Sequence, residues 1–510
     1  MVHPAADQSP RPMPGTATWD RLTSMNSHRQ LPAISMLLLV VLLGGLAAGC
    51  ASYTDRIRQA QQSVAAGEAE AAIRLINEEL DVEELDELPV ELDQEKALLL
   101  LERATLLQAL GHYESASRDM IYADDRMEWI DIQSETADAI LRFVYSDDAG
   151  SYRAPPHERL MLNTLNMINF LALSDLSGAR VEARRFNILQ TYFLDDGSRR
   201  LIPSLLGLGN YLAGATFEAS RDYREAARYY SLAYLYGVWP EADDHRLLDL
   251  IRVTGYTGGG LGDFREQARP IIERARQRPP IDRSTYRDTY GAGDTLIVIQ
   301  TGLVPYRKAR RLPLNQALQY ATGSPYSSIH LSASSQQQAM ALYTAGTLTW
   351  LNVAELTREG LPTTSTVAIK TGDRIVRLTN PIDLGTQIEE AWHLIAGTAL
   401  AAGISRAVVR AIAGEATRQA TQAAAQQTSA GPYAGLIGWL TGAAVQASLS
   451  AADTPDTRSW TTLPSNFHLL RLSLEPGPQT VDVQVGSSTE GREVDVDHDR
   501  FNFLNFSRLR

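Results

Sequence analysis

"GHYESA", Gly111–Ala116, is one of four places where the chain gives the same short signal. A small or polar residue is followed by any residue, an apolar or aromatic residue, two more, and then alanine. The order returns in "GEAEAA" (Gly67–Ala72), "SDLSGA" (Ser174–Ala179) and "RDYREA" (Arg221–Ala226). Each leads into a stretch of helical apolar periodicity: "AAIRLINEEL", "ASRDMIYADD", "ARVEARRFNIL" and "AARYYSLAYLYG". Before three of the four lies another apolar helix, such as "KALLLLERATLLQAL" or "LMLNTLNMINFLAL". The spacing therefore predicts helix, tight turn, helix, repeated from residue 55 to about 275. The starts lie 44, 63 and 47 residues apart, so the units carry inserts of unequal length.

Paired helices with alanine at the close-packing point resemble tetratricopeptide repeats, although the spacing departs from the ~34 residues of that family. The resemblance implies an irregular TPR-like α-solenoid over 50–275, with a concave face that takes peptides or partner helices. A plain helical bundle without a partner is the competing reading. Two features in this stretch invite other chemistry. The acidic run Glu78–Glu95 reads as a solvated loop interrupted by Pro89 rather than a cation site. "GYTGGGLG" (Gly255–Gly262) lacks the Lys-Ser/Thr ending of a phosphate loop and follows a helix, so it reads as a flexible turn.

From Asp294 the pattern changes to short β-branched runs. "DTLIVIQTG", "QAMALYTAG", "TLTWLNV", "TSTVAIKTG" and "DRIVRLTN" read as strands, with a hairpin across Gly372-Asp373. After an interruption come "FHLLRLSLEPG", "QTVDVQVG" and "REVDVDHDRFNFLNFSRL". Val481, Val483 and Val485 alternate with Asp482 and Gln484, the period of a half-buried strand. Short strands at this spacing predict a small β-sandwich built from 290–385 and 453–510. A strand, "EPGPQ" and an alternating strand resemble the immunoglobulin-like or PEGA-type modules of envelope proteins. The interruption, 386–452, reads as an Ala/Gly-rich helical hairpin with its break at Gly431-Pro432. No charged residue occurs from Gln419 to Ala452, and Gly435, Gly438 and Gly442 share about one helix face. Three roles compete: covering the sheet, forming an interface with a partner or a second copy, and inserting into a membrane. Arg406 and Arg410 weigh against insertion. The expected fold class is α, then α+β.

The bulk composition narrows the function classes. The 510 residues suggest two to four domains, and 44% hydrophobic with 21% charged residues is ordinary globular composition. The net charge of −13 leaves no electrostatic footprint for nucleic acid. One cysteine excludes an internal disulfide and any multi-cysteine zinc site.

That cysteine, Cys50, sits directly behind "LLLVVLLGGLAAG". Residues 1–24 are polar and Pro-rich, and Met25 is expected to be the true start, with 1–24 a non-native extension. From Met25 to Gly49 run His28 and Arg29, an apolar core from Leu37 to Leu46, and small residues, the layout of a signal peptide. Small residues before Cys resemble the lipobox of bacterial lipoproteins. The resemblance implies cleavage between Gly49 and Cys50, diacylglycerol on the thiol, and a fatty acyl chain of the palmitate type on the new amino terminus. Several chains are needed for a firm anchor. Ala47 stands where leucine is usual, a departure from the pattern. Ala51 rather than Asp follows the cysteine, which implies sorting to the outer membrane, facing the periplasm.

The arrangement as a whole resembles a family of uncharacterised bacterial outer-membrane lipoproteins. The carriers are "GARVEARRFNIL" (Gly178–Leu189), "DTLIVIQTGLVPYRKARRLPL", the Ala/Gly-rich helices and, most specific, "ADTPDTRSWTTLPSNFHLLRL" (Ala452–Leu472). The resemblance covers most of 50–510. It implies genes near curli-secretion-type lipoproteins and so an envelope lipoprotein partner or self-association. No catalytic motif stands out. The histidines of the mature chain are scattered, no His-x-x-x-His spacing occurs, and a Gly-x-Ser-x-Gly elbow is missing. No cofactor, metal or catalytic residue is expected. Asp456, Arg458 and Trp460 are a candidate binding site, with a structural ion pair and a core tryptophan as the blander reading. The expected function is a protein-binding scaffold or accessory subunit of an envelope complex. A membrane-active or self-oligomerising component is the alternative, and an enzyme of unknown class comes third.

Overall fold

The computed structural model describes residues 53–510, apart from 86, 130–151, 196–202, 241–243, 324–332, 347, 362–365 and 428–454. Gly49, Cys50, Gly435, Gly438 and Gly442 lie outside the described residues. Helical hairpins come first: α1 (Tyr53–Ala66) with α2 (Ala69–Leu80), and α3 (Gln94–Ala109) with α4 (Tyr113–Asp124). The short strands β1 (Glu128–Trp129) and β2 (Arg153–Ala154) pair in parallel. Two more hairpins follow, α5 (Pro156–Ala172) with α6 (Leu176–Asp195), and α7 (Pro203–Ala219) with α8 (Tyr223–Leu235).

The four turns are one structure. The first residue of each repeated signal has left-handed backbone: Gly67 (φ 85), Gly111 (φ 86), Ser174 (φ 58) and Arg221 (φ 62). The next amide always reaches five residues back, as His112 N does to Leu107 O at 2.9 Å and Asp222 N to Phe217 O at 2.9 Å. This doubly bonded cap satisfies the last carbonyls of one helix while the chain turns into the next. The closing alanines, Ala72, Ala116, Ala179 and Ala226, are wholly buried where the paired helices meet. Closeness recurs in α7, where a Cβ on Gly209 or Gly214 would stand 2.1 Å from the Phe186 ring or 2.3 Å from the Tyr230 ring. These glycines lower helix propensity by about 1 kcal/mol each and are kept because aromatic rings press on the bare backbone. Then come α9 (His245–Thr254), α10 (Arg265–Gln277) and α11 (Arg283–Tyr290). Gly255, at φ 59, caps α9, so the Gly-rich stretch starts as a turn.

The β region starts at β3 (Asp294–Leu303), buried along its whole length. One four-stranded sheet has the order β12 (Asn502–Arg508), β3, β9 (Pro464–Ser473), β8 (Ile382–Asp383). Its β12–β3 pair is parallel and the others antiparallel. The second four-stranded sheet has the order β11 (Ser488–Val496), β10 (Gly477–Val485), β6 (Val367–Thr371), β7 (Arg374–Leu378), all antiparallel. The β6–β7 hairpin turns at Gly372-Asp373, as its sequence predicts. Alternation along β3 divides the core in two. Leu296 and Val298 join the apolar cluster of the helical array, while Ile297 and Ile299 join Val367, Ile369, Val481 and Val483 between the two sheets. The array and the first sheet therefore share one core, and Ala51–Arg510 is one unit.

A third apolar cluster lies apart. It gathers α12 (Leu314–Gly323), α13 (Ala333–Thr344), the ribbon of β4 (Tyr306–Pro313) and β5 (Trp350–Thr357), and the long helix α14 (Leu384–Gln427). Here one expectation is corrected. "QAMALYTAG" falls at the end of helix α13, with only Ala339 of that helix buried. Its Gln, Ala, Met and Leu are strong helix formers, and no strand stands beside it to demand otherwise. α14 is one long helix, as the propensity of 386–427 predicts.

The repeated turn generates a matched pair of expectations. A Cβ at Gly111 meets nothing within 4 Å, so Gly111→Ala should lose about 1 kcal/mol from backbone strain alone. Arg221→Gly should do the reverse, gaining about 0.5–1 kcal/mol after the extra chain entropy of glycine is subtracted. Urea unfolding of both variants checks the signs.

Candidate functional site

The segment singled out by the sequence, Asp456–Pro464, leads directly into β9. It is buried almost throughout, and two carboxylates of the helical array hold its main chain. Glu102 of α3, 1% exposed, accepts from the amides of Thr461 and Thr462 at 2.7 Å each. It also accepts from the Thr461 hydroxyl at 2.9 Å and from Tyr53 Oη at 3.1 Å. Glu158 of α5, 2% exposed, accepts from the Trp460 amide at 3.1 Å and from Tyr152 Oη at 2.6 Å. The Trp460 indole donates to Thr105 Oγ1 at 3.0 Å. Arg458 forks onto Asp456 at 2.9 and 3.0 Å, both buried.

Asp456, Arg458 and Trp460 are thus brought together, but as an internal wedge. Thr105, which bonds the Trp460 indole, is itself buried on α3. Burial pushes both carboxyls up. That of Glu102 is raised despite the hydrogen bonds from Thr461 and Thr462 that pull it down. That of Glu158 rises to about 7, with Tyr152 and the Trp460 amide opposing the desolvation.

A second buried group ties array to sheet. Glu218 ends α7, Arg246 sits on α9, Asp294 begins β3 and Arg471 lies on β9. Arg246 reaches Glu218 at 3.0 Å and Asp294 at 3.1 Å. Arg471 reaches Asp294 at 2.9 Å through Nε and Glu218 at 2.9 Å through Nη2. Tyr286 and Tyr230 add hydroxyls to Glu218 at 2.6 and 2.8 Å. Burial alone would raise both acids; the two guanidiniums outweigh it and hold Glu218 and Asp294 below the ordinary carboxylate range. The quartet is two positive against two negative charges, so its strength lies in mutual pairing.

Sequence reasoning missed Glu102, Glu158 and the quartet. Their sole sequence signal is charge within or at the ends of apolar helices and strands, as in "LLLLERATLL". His468 is buried, with neither ring nitrogen bonded, and desolvation lowers its pKa to about 4. No group of three or more His, Cys, Asp or Glu able to hold a metal occurs among the described residues.

Apolar side chains are exposed on the α12–α14 unit. Tyr320, Met340, Trp350, Val409 and Ile412 all reach solvent, with Val409 67% exposed. On α14, Ala401, Ile404, Ala407 and Val408 face the local core, while Val409 and Ile412, three apart, are exposed beside it. No family model, curated protein or solved structure matches the chain.

Two expectations follow from the buried charges. Asp294→Ala leaves two buried guanidiniums facing one carboxylate and should cost about 3–5 kcal/mol in denaturant unfolding. Glu158 titrates near 4.5 when unfolded and about 7 when folded. Between those values the folded protein keeps a proton that the unfolded chain has lost, so this group's contribution falls as pH rises. Glu158→Gln mimics the protonated form. Relative to wild type it should gain stability from pH 4.5 to 7, by roughly 3 kcal/mol at most. Parallel urea titrations at pH 4.5, 5.5 and 7 give the difference.

Proposed function

We propose that this protein is a lipid-anchored, periplasm-facing component of the bacterial outer membrane that acts as a protein-binding scaffold or accessory subunit of an envelope complex. The anchor is acylated Cys50 after cleavage at Gly49. The four hairpins are read as an irregular TPR-like solenoid, supported by their identical turns and buried alanines. The two sheets with their shared valine and isoleucine layer are read as a small β-sandwich, and α14 as the first arm of an inserted helical hairpin.

One observation carries the choice of binding surface. The array face formed by α3 and α5 is filled by the chain's own Trp460, Thr461 and Thr462, while the α12–α14 unit, with its separate small core, leaves Tyr320, Trp350 and Val409 more than half exposed. The partner surface is therefore read on that unit, with Val409 and Ile412 at its centre. A helix of 44 residues extends ~66 Å and suits a contact made along its length. Self-association or membrane action through 386–452 is the second reading, favoured by the same exposed stripe. No helix among the described residues is long and apolar enough to cross a membrane, which bears on spanning and not on surface attachment.

Crosslinking in cells with mass spectrometry should capture a specific envelope protein with wild type and lose it with Val409→Glu/Ile412→Glu. Capture of only the protein itself and lipid would favour the second reading. Capture unchanged by the double variant would remove α14 as the surface. Cys50→Ser should move the protein from the outer-membrane fraction to the soluble one; unchanged fractionation would end the lipid-anchor reading.

A further inference from the structure

The turns of the third and fourth hairpins stand beside each other, with α11 and the loop before β12 across from them. Between them is a cleft of about 350 Å³, within the size of small-molecule sites. Its lower wall is aromatic. Tyr223 meets Tyr286 edge-on at 5.3 Å, and Tyr286 lies 4.9 Å from Tyr290. Phe501 closes one side. Glu218 and Asp294 also line the cleft, but each is already held by Arg246 and Arg471, so this wall carries no net negative charge.

Three guanidiniums flank the opening. Arg287 is 3.2 Å from Asp288 and Arg500 is 3.4 Å from Asp497, both exposed pairs of the weak kind. Asp499 lies on the same rim, 3.0 Å from His498. The Arg221 side chain has no carboxylate, hydrogen-bond or ring partner among the described residues. Burial and then Glu218 raise the Tyr223 hydroxyl, while Arg221, Arg287 and Arg283 pull it the other way, so positive charge converges there. Arg221 is also the one turn residue whose long side chain is retained at left-handed φ, where the first two hairpins use glycine.

We propose that this cleft binds a small organic oxyanion, a phosphate or carboxylate carried on a small organic group, with Arg221 meeting the charge and the tyrosines covering the organic part. An arginine fork suits a planar or tetrahedral oxyanion, and aromatic walls suit an organic group better than a bare ion. The oxyanion could come from a soluble metabolite or from a lipid headgroup, and the test separates them.

Calorimetric titration of the full chain uses inorganic phosphate, phenyl phosphate, and vesicles of phosphatidylglycerol in phosphatidylcholine, each with wild type and Arg221→Gly. The variant relieves backbone strain, so its unfolding temperature should hold or rise, and weaker binding will not reflect a lost fold. Saturable binding of phenyl phosphate, tighter than inorganic phosphate and weakened about tenfold or more in the variant, supports the site with a soluble ligand. Binding to vesicles alone, lost in the variant, supports the site with a headgroup as the source. No saturation by any probe to about 10 mM, or equal binding by the variant, overturns it.

Discussion

A carboxylate sealed from water must be met by donors from the protein, and Glu102 imposes that requirement on much of this fold. Its oxygens take two main-chain amides and a hydroxyl from residues about 360 positions away, and a phenol from the first helix. Glu158 does the same for the Trp460 amide. The segment after the helical excursion is therefore held along its backbone. Removing either acceptor would leave buried amides unpaired, each at a cost of about 1–3 kcal/mol. The first sheet closes over the array because its entering strand is fixed there.

The Glu218–Arg246–Asp294–Arg471 quartet fastens the other end. It joins the last hairpin and α9 to the starts and ends of β3 and β9, so a shift of array against sheet would expose charge without a partner. Between these two anchors Leu296, Val298, Phe467 and Leu469 face the helices, and Gln300 of β3 donates to Gln108 of α3 at 2.9 Å. The face of the array formed by α3 and α5 is thereby occupied by the chain's own Trp460, Thr461 and Thr462, and the α12–α14 unit stands apart with its own small core.

Much of the helical half was legible. The four repeated signals locate turns whose left-handed residue and closing alanine recur in the structure, because a tight helical turn is a local event set by six consecutive residues. The β6–β7 hairpin and the alternating valines of β10 were legible for the same reason. Segment "QAMALYTAG" was misread as strand because it lies among strands in sequence while its composition favours helix. The site was legible only as a location. Asp456, Arg458 and Trp460 drew attention as a charged pair beside an aromatic, yet their partners Glu102, Glu158 and Thr105 lie 300 or more residues earlier.

By itself the sequence determined the helix-turn-helix units, the change to strands at Asp294, the long helix after Asp383, and a cysteine placed behind an apolar run. These depend on periodicity, turn chemistry and composition over a few residues. Only the tertiary structure decided that the array's inner face is filled, that the strongest sequence signature is an internal wedge, and that four distant charges form one closed set. Those outcomes depend on which desolvated groups meet across hundreds of residues, and a carboxylate buried in an apolar helix does not announce in sequence which amide will reach it.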